Sequence, residues 1–158
     1  MPSTPTSAAK EPARLALVLP LPPSVNHQYV SVGRRRVLSR EAQAFCRDTA
    51  KAIQRLREAG TLSPAIEAAL ADVCLGAYLT FYFETPHRRD LDGGLKIALD
   101  AVCTALGLDD RYIVDMHLTK RIDPLHPRLE IELEAISGWE FDQSYVYLGE
   151  DESEKSES

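Results

Sequence analysis

The chain has 158 residues, enough for one ordinary domain and too few for two. Apolar residues make up 44% of it and charged residues 27%, the balance of a globular fold with a buried core, and no apolar run approaches the roughly 20 residues of a membrane helix. The formal net charge of −6 argues at first against a polyanionic partner, because binding nucleic acid calls for cationic surface.

Residues 1–13 hold Pro, Ser and Thr without an apolar stretch, which predicts a disordered N-terminal segment with no mark for secretion and a cytoplasmic location. From Arg14 to Leu19, Leu15, Leu17 and Leu19 alternate with other residues, a strand that Pro20, Pro22 and Pro23 must stop because proline cannot donate to a ladder. Pro22-Pro23-Ser24-Val25-Asn26 is then a rigid turn. Gly33 and Arg34–Arg36 form a hairpin tip that returns through Val37 and Leu38. Ser39 is the N-cap of a long helix to about Glu58, with Ala42, Phe45, Thr49, Ile53 and Leu56 on one face and Gly60 just past its end. Ser63-Pro64 opens a short second helix, since proline suits the first helical position.

Val73 to Glu84 carries the strongest strand pattern, with Leu79, Phe81 and Phe83 on one side and Tyr78, Thr80 and Tyr82 on the other. A loop from Thr85 to Asp92 precedes a helix from about Gly93 to Leu106, whose apolar stripe is Leu95, Ala98, Leu99, Val102 and Leu106 and which Gly107 stops. Two more strands, Tyr112–Lys120 and Arg128–Ala135, are joined by a segment, Asp123–Pro127, with the turn residues of a hairpin. The sum is an α+β domain over residues 14–148, with a mostly antiparallel sheet and helices packed on it. An acidic, Ser- and Glu-rich tail, 149–158, is expected to be disordered.

Charge is distributed unevenly. Residues 150–158 alone supply −4, whereas residues 34–57 carry Arg34, Arg35, Arg36, Arg40, Arg47, Lys51, Arg55 and Arg57 against Glu41 and Asp48. A basic zone therefore sits inside an acidic protein, either as an ordinary solvated face or as a surface for phosphates. The tail would limit non-specific DNA binding by competing for that zone. Cys46, Cys74 and Cys103 have neither disulfide-framework nor zinc spacing and read as buried free thiols. His27, His87, His117 and His126 share no ligand spacing. Trp139, Phe141, Tyr145 and Tyr147 are expected to pack a C-terminal segment on the body.

The densest chemistry lies in His87-Arg88-Arg89-Asp90-Leu91-Asp92-Gly93-Gly94-Leu95-Lys96. Asp90 and Asp92 stand two apart in chain leaving a strand, so both carboxylates can face one side. Asp92 also occupies the expected N-cap, and Lys96 and Asp100 follow at i+4 steps, a polar stripe opposite the apolar one. Two carboxylates about 4 Å apart repel by roughly 4 kcal/mol at an effective dielectric of 20, which would raise one of them by about three pKa units unless a cation intervenes. Oxygen ligands without His or Cys suit magnesium or manganese. Lys96 could then stabilise charge on a transferring phosphate, and Arg88 and Arg89 could hold a strand. A capping aspartate with a solvated neighbour is the plainer reading of Asp90 and Asp92, and a polar turn that of Asp109-Asp110.

Arg88-Arg89-Asp90-Leu91-Asp92, Lys96, Asp100-Ala101 and Leu108-Asp109-Asp110, preceded by Pro22-Pro23-Ser24-Val25-Asn26, together resemble the RusA family of Holliday junction resolvases from about Leu15 to Ala135. The resemblance implies an intertwined homodimer, a magnesium-dependent endonuclease that nicks four-way DNA junctions symmetrically in recombination and repair. By position it implies Asp90, Asp92 and Asp110 as metal ligands and Lys96 as the catalytic lysine. Asn26, Arg34, Arg35, Arg36, Arg88, Arg89 and Lys120 are the expected DNA contacts. The family usually places Asn after the second aspartate, where this chain has Gly93 followed by Gly94, so a junction-binding protein that cuts weakly is the alternative.

Helix length adds one expectation. A helix over residues 93–106 is about 21 Å long, which puts Asp92 and Asp110 near opposite ends, and four linking residues reach at most about 14 Å. Either Asp110 joins Asp90 and Asp92 of a partner chain, or Asp115 on the returning strand is the intrachain third ligand.

Overall fold

The computed structural model describes residues 10–87 and 89–139, so Arg88, the first nine residues, the acidic tail, and Phe141, Tyr145 and Tyr147 lie outside the described residues. The elements are β1 (Arg14–Leu19), β2 (Tyr29–Val32), β3 (Arg35–Leu38), α1 (Arg40–Glu58), α2 (Pro64–Leu70), β4 (Leu75–Phe83), α3 (Leu95–Leu106), β5 (Ile113–Ile122) and β6 (Arg128–Ala135). Local signals account for most of them. Ser39 Oγ accepts from the Ala42 amide at 3.1 Å to start α1, and Ser63 Oγ accepts from the Ile66 amide at 3.3 Å to start α2. Gly107 ends α3 with φ 68°, the left-handed cap that glycine adopts without strain.

The α+β class holds, but the sheet is mixed. Its order is β1-β6-β4-β5, with β4 and β5 parallel and the other two pairings antiparallel. The expected β5–β6 hairpin does not form. Helix α3 carries the chain back along the sheet, so β5 must run the same way as β4, as strands joined by a helical crossover do. The central slot goes to β6, whose Leu129, Ile131 and Leu133 are buried, while the largely exposed β5 takes the edge. The turn chemistry of residues 123–127 is present and serves a crossing over the end of β4. The Asp123 amide donates to Phe83 O at 2.8 Å, and its carboxylate accepts from the amides of Leu125 and His126 and from Arg128.

The buried rows of β1, β4 and β6 meet the apolar stripes of all three helices in one core centred on Leu79, Phe81, Ile53 and Val102. Arg57 fastens the helix ends, donating to Glu67 Oε1 at 2.6 Å and to Ala105 O at 3.1 Å, which removes it from the basic zone. Arg40, Arg47, Lys51 and Arg55 are exposed and make no ion pair among the described residues.

Because β1 and β4 both pair antiparallel to β6, and β5 runs with β4, the carboxyl ends of β1, β4 and β5 share one edge of the sheet. The loops after β1 and β4 meet there. In open sheets with packed helices, the crevice at the carboxyl ends of strands is where ligands bind.

Candidate active site at the strand carboxyl ends

The loop after β4 reaches the aspartates through Arg89, which does not face solvent as a simple phosphate contact would. Its guanidinium donates to Pro22 O and lies 5.3 Å from the Phe83 ring centroid, and burial holds its pKa below the usual value. Its Nε is buried without a partner among the described residues. Lys120, near the end of β5, donates to Pro86 O at 3.1 Å and Arg89 O at 2.9 Å, so it clamps the same loop from the other side.

Asp90 and Asp92 follow, both exposed. Asp90 O accepts from the Gly93 amide at 3.2 Å and Asp92 O from the Leu95 amide at 3.0 Å, so the two aspartates occupy consecutive tight turns. Asp92 is therefore not the helix N-cap. That position belongs to Gly94, without a side-chain cap, and α3 begins two residues later than its periodicity predicts. The cap position is also closely packed: a Cβ on Gly94 would lie 2.4 Å from Pro22 Cγ. Gly93 is under no such constraint, since the nearest atom to a Cβ there is Asp90 O at 3.4 Å.

Pro22-Pro23-Ser24 is thus a platform more than a turn. Pro22 packs on Gly94 and accepts from Arg89. Pro23 O accepts from Gln28 Nε2, and Ser24 Oγ is 2.8 Å from His27 Nδ1. Gln28, which no sequence signal singled out, is 4% exposed and also reaches Gly93 O. Asn26 is exposed in a 3-10 turn, Val25–His27, beside this platform.

Lys96 lies on the exposed face of α3, with its Nζ 3.0 Å from Asp100 Oδ2. That bond raises the lysine pKa, with weaker contributions from Asp110 and Tyr29. Lys96 is consequently paired down the helix with Asp100 and is not held by Asp92.

Asp110 begins a short 3-10 turn after α3. The chain doubles back part of the way, so that Asp110 borders a shallow concavity with Asp100, Cys103 and Thr104. Burial, aided by these carboxylates, pushes the Cys103 thiol up to about 11, an inert thiol. Asp109 is engaged: it accepts from the Arg111 amide at 2.9 Å and from its guanidinium, which hold its carboxyl below the usual range. Asp110 is the acid of this pair left exposed.

Asp115 does not approach Asp92. It pairs in register with Gly76 near the start of β4, some 23 Å of strand before Phe83, on the face of the sheet away from the helices. There it contacts His117 Nε2 at 3.3 Å, and His117 stacks on Tyr78. Among the described residues no three His, Cys, Asp or Glu side chains gather to hold a metal. Two carboxylates nevertheless suit magnesium, which commonly takes one or two from protein and completes its shell with water and phosphate oxygens.

The hairpin β2–β3 projects beside this platform with every residue exposed. Arg34 lies in its turn, and the Arg36 guanidinium is 5.1 Å from the Tyr29 ring centroid.

The family model for Endodeoxyribonuclease RusA matches residues 20–134, which span the proline platform, the aspartate loop, α3 and strands β2 to β5 with all but the last residue of β6. The chain belongs to the RusA endodeoxyribonuclease family. It is 33% identical over 110 residues to the crossover junction endodeoxyribonuclease RusA of Escherichia coli O139:H28 (strain E24377A / ETEC), covering 66% of this chain and 81% of that protein. As a member of this RusA family it is an endodeoxyribonuclease, and the matched span contains every candidate site residue named above. No helix among the described residues is long and apolar enough to cross a membrane.

Proposed function

We propose that the chain is a cytoplasmic, homodimeric Holliday junction resolvase that cuts four-way junction DNA by paired symmetric phosphodiester cleavage, with magnesium as its cofactor and manganese as a substitute. The observation that carries this reading is the aspartate loop fastened at the carboxyl ends of three strands, with Lys96 a helical turn beyond it. Asp90 and Asp92 would hold the metal, joined by Asp110 of the partner subunit. When bound, the metal supplies an activated water and a counter-charge for the phosphate. Lys96, exposed and only loosely held by Asp100, is free to turn to a phosphate oxygen and stabilise charge there. Arg89 and Lys120 keep the loop in place, and Asn26 and Arg34–Arg36 meet the sugar-phosphate backbone, with Arg88 a further contact.

A synthetic mobile four-way junction, incubated with and without magnesium, tests the reading. Paired nicks that need magnesium and vanish in Asp90→Asn are expected. Binding without nicks would instead favour a junction-binding protein, and no binding would reject both. In the same assay Arg35→Ala should weaken junction binding and lower the slope of log affinity against log salt by about one. An unchanged slope would remove Arg35 from the interface.

A further inference from the structure

We propose that Gln28 is a positioning residue for the metal-binding aspartates, acting through the carbonyl of Gly93. This rests on the metal-dependent reading above and extends it to a residue outside the acidic and basic motifs.

The loop that presents Asp92 is followed by two glycines, the residues with the most backbone freedom to lose. No side-chain cap holds the start of α3 either. Order must therefore come from elsewhere, and Gln28 is placed to supply it. Its carboxamide nitrogen has two N–H groups and two carbonyl partners, Pro23 O and Gly93 O, each at 3.2 Å. The first belongs to the proline platform and the second to the residue directly after Asp92.

Gln28 is itself over-determined. It is 4% exposed, and its carbonyl accepts from the Ser39 amide at 2.8 Å. Ser39 Oγ donates to His27 O at 2.6 Å while capping α1. The backbone of residues 27–28 is thus pinned to the start of a 19-residue helix, and the Gln28 side chain extends that rigidity to the aspartate loop. Groups hydrogen-bonded directly to metal ligands typically contribute a factor of ten to a hundred in metal affinity, and a contact one residue removed through the backbone belongs at the lower end of that range.

The test is Mn2+ binding to the full chain, followed by EPR of the free ion, with junction cleavage measured against Mn2+ concentration. Gln28→Met keeps the length and removes both donors. It is expected to raise the Mn2+ dissociation constant and the half-saturating Mn2+ for cleavage by about tenfold. Junction binding without metal should be unchanged. Gln28→Asn keeps the amide on a shorter arm and should fall between, and it serves as the test variant if Gln28→Met does not fold. Gln43→Met is the control, since Gln43 Nε2 donates only to Leu38 O at the hairpin base, and its Mn2+ affinity should equal wild type. A Gln28 variant with lowered melting temperature but wild-type Mn2+ affinity overturns the inference, because a merely structural role predicts that result. Failure of the wild type to bind Mn2+ would instead reject the metal-dependent reading, and this inference with it.

Discussion

An equal mixture of Asp92→Asn and Asp110→Asn chains, refolded together, is expected to nick four-way junctions on one strand, although each variant alone loses cleavage by roughly a thousandfold. The arithmetic is specific to a site shared between chains. In a mixed dimer, one site carries both substitutions and the other carries neither. About half of the dimers are mixed, so about a quarter of the wild-type sites survive, each without an active partner across the two-fold axis. If each site were built within one chain, every site in the mixture would be damaged, and the mixture would be as inactive as its parents. The structure narrows the intrachain choice. Asp115 is at the opposite end of the sheet from the aspartate loop, whereas Asp110 borders Asp100 and Cys103 and adds weakly to the negative charge acting on Lys96.

The second large effect is expected at a glycine. Gly94→Ala places a methyl group 2.4 Å from Pro22 Cγ, well inside van der Waals contact, and prolines are poor at yielding. Overpacking of this kind costs about 1–3 kcal/mol, and in a chain of this size each kcal/mol lowers the melting temperature by about 3 °C. The loop must shift to relieve the contact, carrying Asp92 with it, and a misplacement near 1 Å can cost about a hundredfold in cleavage. Gly93→Asn makes the contrast. A Cβ at Gly93 would meet Asp90 O at 3.4 Å and Ser24 Cβ at 4.0 Å, ordinary contact distances, so this variant should melt within about 2 °C of wild type. Calorimetry and junction cleavage on the pair separate the two glycines. Equal melting temperatures would mean that Pro22 gives way and that Gly94 is not required by packing.

Much of the fold is legible in the sequence because the signals are local. Leu15, Leu17 and Leu19 alternate, Ser39 and Ser63 cap, Pro64 starts a helix and Gly107 ends one, and the structure repeats each of these. The pairing of β5 was not legible. Asp123–Pro127 has the residues of a tight turn, and the same chemistry serves a crossover when the strands it joins are claimed by other neighbours. The start of α3 is similarly not local: Asp92 is a good cap by type, but tight turns at Asp90–Gly93 and Asp92–Leu95 occupy that stretch, and the cap residue Gly94 packs on Pro22, 72 positions away.

The acidic sum of −6 loses its force once its parts are separated, since the tail accounts for most of it and the hairpin and α1 keep a row of exposed cations. The sequence by itself determined the element types, the Asp-Leu-Asp motif with its lysine and the family it resembles, because each signal is carried by a short run of residues and the motifs follow in order from Pro22 to Asp110. Tertiary structure decided which groups are free and which are engaged. Arg89 turns inward and Lys120, itself exposed, donates to the aspartate loop, Arg57 pairs with Glu67, and Gln28 reaches across 65 residues to Gly93. The contacts of Arg89, Lys120 and Gln28 depend on loops meeting at the carboxyl ends of the strands, and that of Arg57 on helix ends meeting, a proximity in space that spacing along the chain does not encode.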